Sequence, residues 1–121
     1  MPLATTYIVR ASLTPEKLRR TADRYVQESF AKESSPQVTE LAAQVGMNRS
    51  DFTKVFTYVV GEAPSAYLRR GQISCAKHLL TTTRMPMNAI AYRCGFGTRT
   101  TFFRAFKRET GMTPKQYRQN C

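Results

Sequence analysis

Between Thr98 and Arg108 the chain carries a run of residues able to grip nucleic acid. Arg99, Phe103 and Lys107 stand at i, i+4 and i+8, and Thr100, Arg104 and Arg108 form the neighbouring row, so on a helix the six would share one broad face. Guanidinium forks and hydroxyls suit base edges and phosphates. Arg99 and Arg104 are the leading base readers, because an Arg fork can hold O6 and N7 of guanine. Thr100 is a candidate beside them. Phe103 is an aromatic on a basic face; it either touches a thymine methyl or packs on the domain's edge. Lys107 and Arg108 suit the sugar-phosphate backbone, as does Lys115 further on.

These residues need a helix to hold them outward. Thr98 can cap it, Phe102, Ala105 and Phe106 supply an inner stripe, and Gly111 ends it. Before it, Met87, Ile90, Ala91 and Cys94 recur at i, i+3, i+4 and i+7, a short helix following Pro86 and stopped by Gly95. The same stripe occurs at Val38, Leu41, Ala42 and Val45, at a constant offset of 49 residues. Gly46 matches Gly95 at that offset. One extra residue then shifts the offset to 50, at which Phe52, Phe56, Gly61, Pro64 and Tyr67 match Phe102, Phe106, Gly111, Pro114 and Tyr117. The chain therefore contains an internal repeat of two helix-turn-helix units.

In the first unit Asn48 can cap the second helix, with Asp51 three residues on in a capping-box arrangement. Its outward residues are Arg49, Ser50, Thr53 and Lys54, the positional counterparts of the base-reading candidates, followed by Thr57 and Tyr58. This face is less positive than its partner. The helix N-termini near Thr39 and Thr98 are candidate backbone contacts.

From about Pro15 to Gln119, most specifically in its second half, the chain resembles a known family, the AraC/XylS transcription regulators. Ile90-Ala91, Gly95-Phe96, Phe102, Phe106-Lys107, Gly111, Thr113-Pro114 and Tyr117-Arg118 stand in the order and spacing of that family's C-terminal signature, and Ala76 to Leu80 resembles its linker helix. Gly97 departs from the short polar residue more common there, Thr57 from a basic residue, and Gln72 from an Arg, whose charged contact is therefore missing. The resemblance implies double-stranded promoter DNA and RNA polymerase as partners, and activation rather than repression. It also implies either a stand-alone regulator or the DNA-binding part of a longer, effector-responsive one. A protein-interaction module antagonising a related regulator is the alternative from another class.

The rest of the chain fits one compact domain. Thr14-Pro15 starts a helix with Leu18, Ala22, Tyr25, Val26 and Phe30 on its apolar face and Arg19, Arg20 and Arg24 in solvent, closed by Ser34-Ser35-Pro36. Pro64 to Leu80 reads as a linker helix of roughly 25 Å, long enough to set two recognition helices about one turn of B-DNA apart. Gly71 within it suggests close packing. After Thr113-Pro114 a last short helix lays Tyr117 on the core and turns Lys115 and Arg118 to water. The expectation is an all-α fold with two helix-turn-helix units joined by a long linker helix: an arm or linker over 1–13, then one domain over 14–121, with units at 38–61 and 86–111 and the linker helix at 64–80.

Nineteen Lys and Arg against eight Asp and Glu give a net charge of +11, which makes polyanions the natural partners. No stretch reads as a signal peptide or a membrane span. Cys75, Cys94 and Cys121 have no metal-like spacing, and His78 is the single histidine, so no metal, cofactor or small-molecule site is expected. No nucleophile-base pair or phosphate loop suggests an enzyme. A reducing bacterial cytoplasm, at the nucleoid, is the expected location.

Overall fold

The computed structural model describes residues 13–120, so the arm expected over 1–13 lies, but for Leu13, outside the described residues, as does Cys121. Among the described residues all regular structure is helical: α1 Pro15–Ala31, α2 Val38–Gln44, α3 Arg49–Val60, α4 Pro64–Thr82, α5 Met87–Arg93, α6 Arg99–Thr110 and α7 Pro114–Gln119. The repeat read from the sequence is a repeat of structure. Both first helices have 7 residues and both second helices 12.

Local chemistry accounts for most helix ends. The Thr14 hydroxyl accepts the Lys17 N–H at 3.2 Å, with Pro15 opening α1. Asn48 caps α3 through the Asp51 N–H at 2.8 Å, and Thr98 caps α6 through the Thr101 N–H at 3.1 Å. The expected capping box at Asn48 is only half formed, because Asp51 is too short to reach back to the cap's backbone; its carboxylate instead accepts from the Asn48 side-chain amide. The full box stands at Thr113 and Gln116, where the longer side chain closes the reciprocal bond at 2.9 Å. Gly61 and Gly111 end α3 and α6 in the left-handed conformation.

Two cores form, and α4 serves both. Leu18, Ala22, Val26, Leu41, Phe52, Phe56 and Leu68 make the first. Ile73, Ala76, Leu80, Ile90, Phe102 and Phe106 make the second. Neither half would bury enough surface alone, so the shared helix is what lets a small repeat stand as folded structure. The aromatic pairs repeat too: Phe56 meets Tyr67 edge-on at 5.5 Å, and Phe106 meets Tyr117 at 5.4 Å. Gly71 lets α1 approach α4, since a Cβ there would sit 3.3 Å from a Val26 methyl.

Two further expectations need correction. The linker helix runs two residues beyond Leu80, to Thr82. Arg118 does not turn to water; its guanidinium donates to the Leu80 carbonyl at 3.1 Å and the Thr83 carbonyl at 3.3 Å, satisfying acceptors that the end of α4 leaves open.

The turn glycines Gly46 and Gly95 share a positive φ, +72° and +77°, but not their surroundings. A Cβ at Gly46 meets nothing within 4 Å, whereas at Gly95 it would lie 2.9 Å from Pro36 Cδ and 3.1 Å from the Ser34 carbonyl oxygen. Gly46→Ala is expected to cost about 1–2 kcal/mol from backbone strain, and Gly95→Ala a further ~1–3 kcal/mol from the clash. Urea unfolding of the two variants checks this; equal losses would contradict the close approach.

Candidate nucleic-acid interface

The outer face of α6 is basic from end to end. Arg99, Thr100, Arg104, Lys107 and Arg108 are exposed. No acidic residue occupies the first turn, where the helix dipole favours anions, and Lys107 and Arg108 fill the last. Phe103 is half-buried, edge-on to Phe102 at 6.0 Å, and the Arg99 guanidinium lies 5.1 Å above its ring. The aromatic thus restricts the wandering of Arg99 and holds its fork near the start of the helix. Thr98 is exposed, but its hydroxyl is engaged twice, accepting the Thr101 N–H and donating to the Thr101 hydroxyl at 2.9 Å. What this end offers a phosphate is the backbone N–H groups of the first turn.

On α3, Arg49, Ser50 and Lys54 are exposed and Thr53 is half-buried. Asp51 sits in the first turn and the last turn has no basic residue. Where α6 has Lys107 and Arg108, α3 has Thr57 and a Tyr58 that is 91 % exposed. Thr39 is exposed on the first turn of α2 but does not cap it; Gln37 is the cap residue and makes no side-chain bond there. Glu40, in the same turn, accepts from the Tyr25 hydroxyl and brings a carboxylate to a helix end that would otherwise attract anions. Burial, then the bond to Glu40, pushes the Tyr25 pKa above its ordinary value. Lys115 is exposed on α7.

The units meet around Gly95, through Gln72 and Ser35. Gln72 is buried, and its amide donates to the Cys94 carbonyl at 3.2 Å and the Gly95 carbonyl at 2.9 Å. Ser35, expected merely to close a helix, donates its hydroxyl to the same Gly95 carbonyl. The departure at Gln72 is therefore a neutral contact in place of a charged one. Its signal was present: Leu68, Gln72, Ala76 and Leu80 form one i, i+4 row of α4, and a lone amide on an otherwise apolar row marks a buried polar group in need of partners.

Arg69 is a residue that no sequence pattern singles out. It borders a cleft of about 270 Å³ between the units, together with Gln37, Arg49, Phe96 and Thr101. Its guanidinium lies 5.5 Å from the centre of the Phe96 ring. Burial, and then the like charge of Arg108, holds its pKa below the usual Arg range, with the Glu109 carboxylate opposing them. A half-buried cation beside another cation gains from a bound anion.

Two helix-turn-helix units on a shared helix, with a basic second helix facing outward, define a DNA-binding domain of the double helix-turn-helix class. Comparison with known proteins agrees. A helix-turn-helix domain family matches residues 41–120. The chain is 43% identical over 83 residues to the HTH-type transcriptional regulator Rv1931c of Mycobacterium tuberculosis, covering 69% of this chain and 32% of that protein. It is 31% identical over 102 residues to the arabinose operon regulatory protein of Escherichia coli, covering 84% and 35%. It thus spans about a third of the length of these curated relatives. Among solved structures, the C-terminal domain of AraT, a response regulator from Geobacillus stearothermophilus, superposes with a TM-score of 0.77 at 27% identity, covering 86% of this chain and 85% of that one. The DNA-binding domain of the global transcriptional factor AdpA, solved with a target DNA, gives 0.71 at 28% identity over 82% and 90%. The chain belongs to the AraC-type family of DNA-binding transcription regulators, which is not a family of enzymes. Among the described residues no helix is long and apolar enough to cross a membrane.

Replacing Gln72 with Leu keeps the bulk but removes the donor from the Cys94 carbonyl. The expected loss is about 1–3 kcal/mol in chemical denaturation; a neutral result would show that this bond does not hold the units together.

Proposed function

We propose that the chain reads two adjacent major-groove segments of promoter DNA with α3 and α6, as a transcription activator. The observation that carries this reading is the duplicated helix pair, locked in one orientation through Gln72, Ser35 and Gly95, with the exposed cations of both second helices at hand. In it, Arg99 and Arg104 bind guanine edges, with Thr100 and Phe103 beside them. Arg49, Ser50, Thr53 and Lys54 read the second segment more weakly. Lys107, Arg108, Lys115 and the first turn of α6 near Thr98 hold phosphates. Thr39 has a lesser share because of Glu40. Arg69 joins the backbone group, facing the phosphates that pass between the two segments. RNA polymerase is the protein partner that the family resemblance implies. A chain that spans a third of its relatives also fits the DNA-binding part of a longer, effector-responsive regulator, at work on the bacterial nucleoid in the cytoplasm.

A second reading has one observation in its favour. Tyr58 stands almost fully exposed beside Val55 and Val59 at the end of α3, which suits contact with a protein, such as a related regulator to be antagonised.

Selection of bound duplexes from a random library at two salt concentrations separates the two readings. Two enriched boxes about one helical turn apart are expected; binding that fades with salt and enriches nothing would bring the protein-interaction reading forward. Within the same assay, Arg104→Ala should relax preference at one base pair by about 1–3 kcal/mol, and unchanged preference would remove it from the readers. Lys107→Ala should weaken all sequences alike and flatten the salt slope by about one unit, so a shifted base preference would refute its backbone role.

A further inference from the structure

Gln72 and Cys75 lie one turn apart on α4, and both engage Cys94: the amide bonds its carbonyl, and the Cys75 Sγ lies 2.8 Å from the Cys94 Sγ. The two thiols are 19 residues apart in sequence and join the linker helix to the turn of the second unit. We infer that Cys75 and Cys94 form a reversible oxidation site, in which a peroxide-class oxidant converts the thiol pair to a disulfide that staples the second unit to α4.

Geometry assigns the roles. Cys75 is half-buried and borders an open groove of about 470 Å³ between α1 and α4, beside Gly71, Ser74 and His78, so a small oxidant can reach it. Cys94 is wholly buried and donates its thiol hydrogen to Cys75, so it resolves and does not start the reaction. That bond, with the positive charge of Arg93 as a smaller contribution, holds Cys75 below the usual thiol range against the opposing effect of burial. The bond given to Cys75, together with burial, raises Cys94. Low-pKa, reachable cysteines beside a resolving partner are the ones that oxidise reversibly.

The chemistry balances. The Cys75 thiolate attacks one peroxide oxygen, the O–O bond breaks, and the leaving hydroxide takes a proton to become water, leaving a sulfenic acid on Cys75. Cys94 sulfur then attacks the Cys75 sulfur, the S–O bond breaks, and a second water departs with the Cys94 proton. Two thiols are oxidised by two electrons and one peroxide is reduced to two waters. The sulfurs need only close from 2.8 Å to a bond of about 2.05 Å.

The test uses the full chain carrying Cys121→Ser, so that only the pair remains, treated with a small excess of hydrogen peroxide. The monomer should lose the mass of two hydrogens, peptide mapping should link residues 75 and 94, and Tm should rise by roughly 5 °C or more, as expected for a disulfide closing a short loop. Dithiothreitol should reverse all three. Cys75→Ser, at the more exposed position, should abolish the link and the Tm rise while the reduced chain melts within a few degrees of its parent; Cys94→Ala, which removes both the resolving sulfur and the hydrogen bond that activates Cys75, should abolish the link and slow the reaction of Cys75 with peroxide. A sulfinic acid on Cys75 without a link, a disulfide between two chains, or a Tm that falls on oxidation would each overturn the proposal.

Discussion

The whole arrangement turns on the buried amide of Gln72. It is one of few polar side chains deep inside the fold, and it spends its donors on the two carbonyls that flank the turn of the second unit. Those carbonyls end α5 and cannot all be satisfied within a helix of two turns. Ser35 reaches the Gly95 carbonyl from the other unit, and Gly95 has no Cβ to keep Pro36 away. Three contacts of different kinds thus converge on one turn. Because the amide is buried, leaving its partners unmet is costly, and the orientation of one unit against the other is accordingly well determined.

The shared helix α4 supplies the apolar counterpart of this clamp. Leu68 belongs to the first core, and Ile73, Ala76 and Leu80 to the second, with Cys75 touching both. In the repeat frame α7 begins as α4 does, with a buried proline and, three residues on, a tyrosine against the inner phenylalanine, but it stops after 6 residues. It then serves α4 from outside, as Arg118 closes the carbonyls at its end. The two halves are therefore equivalent in their helix pairs and unequal in how they are supported.

The same inequality extends to charge. Both second helices are amphipathic by the same rule, yet α6 ends in Lys107 and Arg108 where α3 ends in Thr57 and an exposed Tyr58. In the first turn the balance differs again, because α3 carries Asp51 and α6 carries no acid. An anion meeting the two units would be held more strongly by the second. Arg69 softens this contrast from the middle, since it sits in the cleft between them, half desolvated over Phe96.

Rules that act between neighbours within about four residues account for the apolar stripes, the Thr and Asn caps and the stopping glycines, and the recurrence of that whole pattern at offsets 49 and 50 makes the repeat legible in the sequence. Those rules also settled which side of α6 faces out, because Phe102, Ala105 and Phe106 had to face in. The reach of Asp51 and the end of the linker helix lay at the limit of such rules, and both came out slightly differently. Only the tertiary structure decided that Gln72 meets Cys94, that Ser35 meets Gly95, that Arg118 meets Leu80, and that the Cys75 and Cys94 sulfurs face each other. These partners stand 22, 60, 38 and 19 residues apart. No periodicity relates such positions; they come together because two small cores must pack on one helix, and each buried polar group then takes the partner that packing brings within reach.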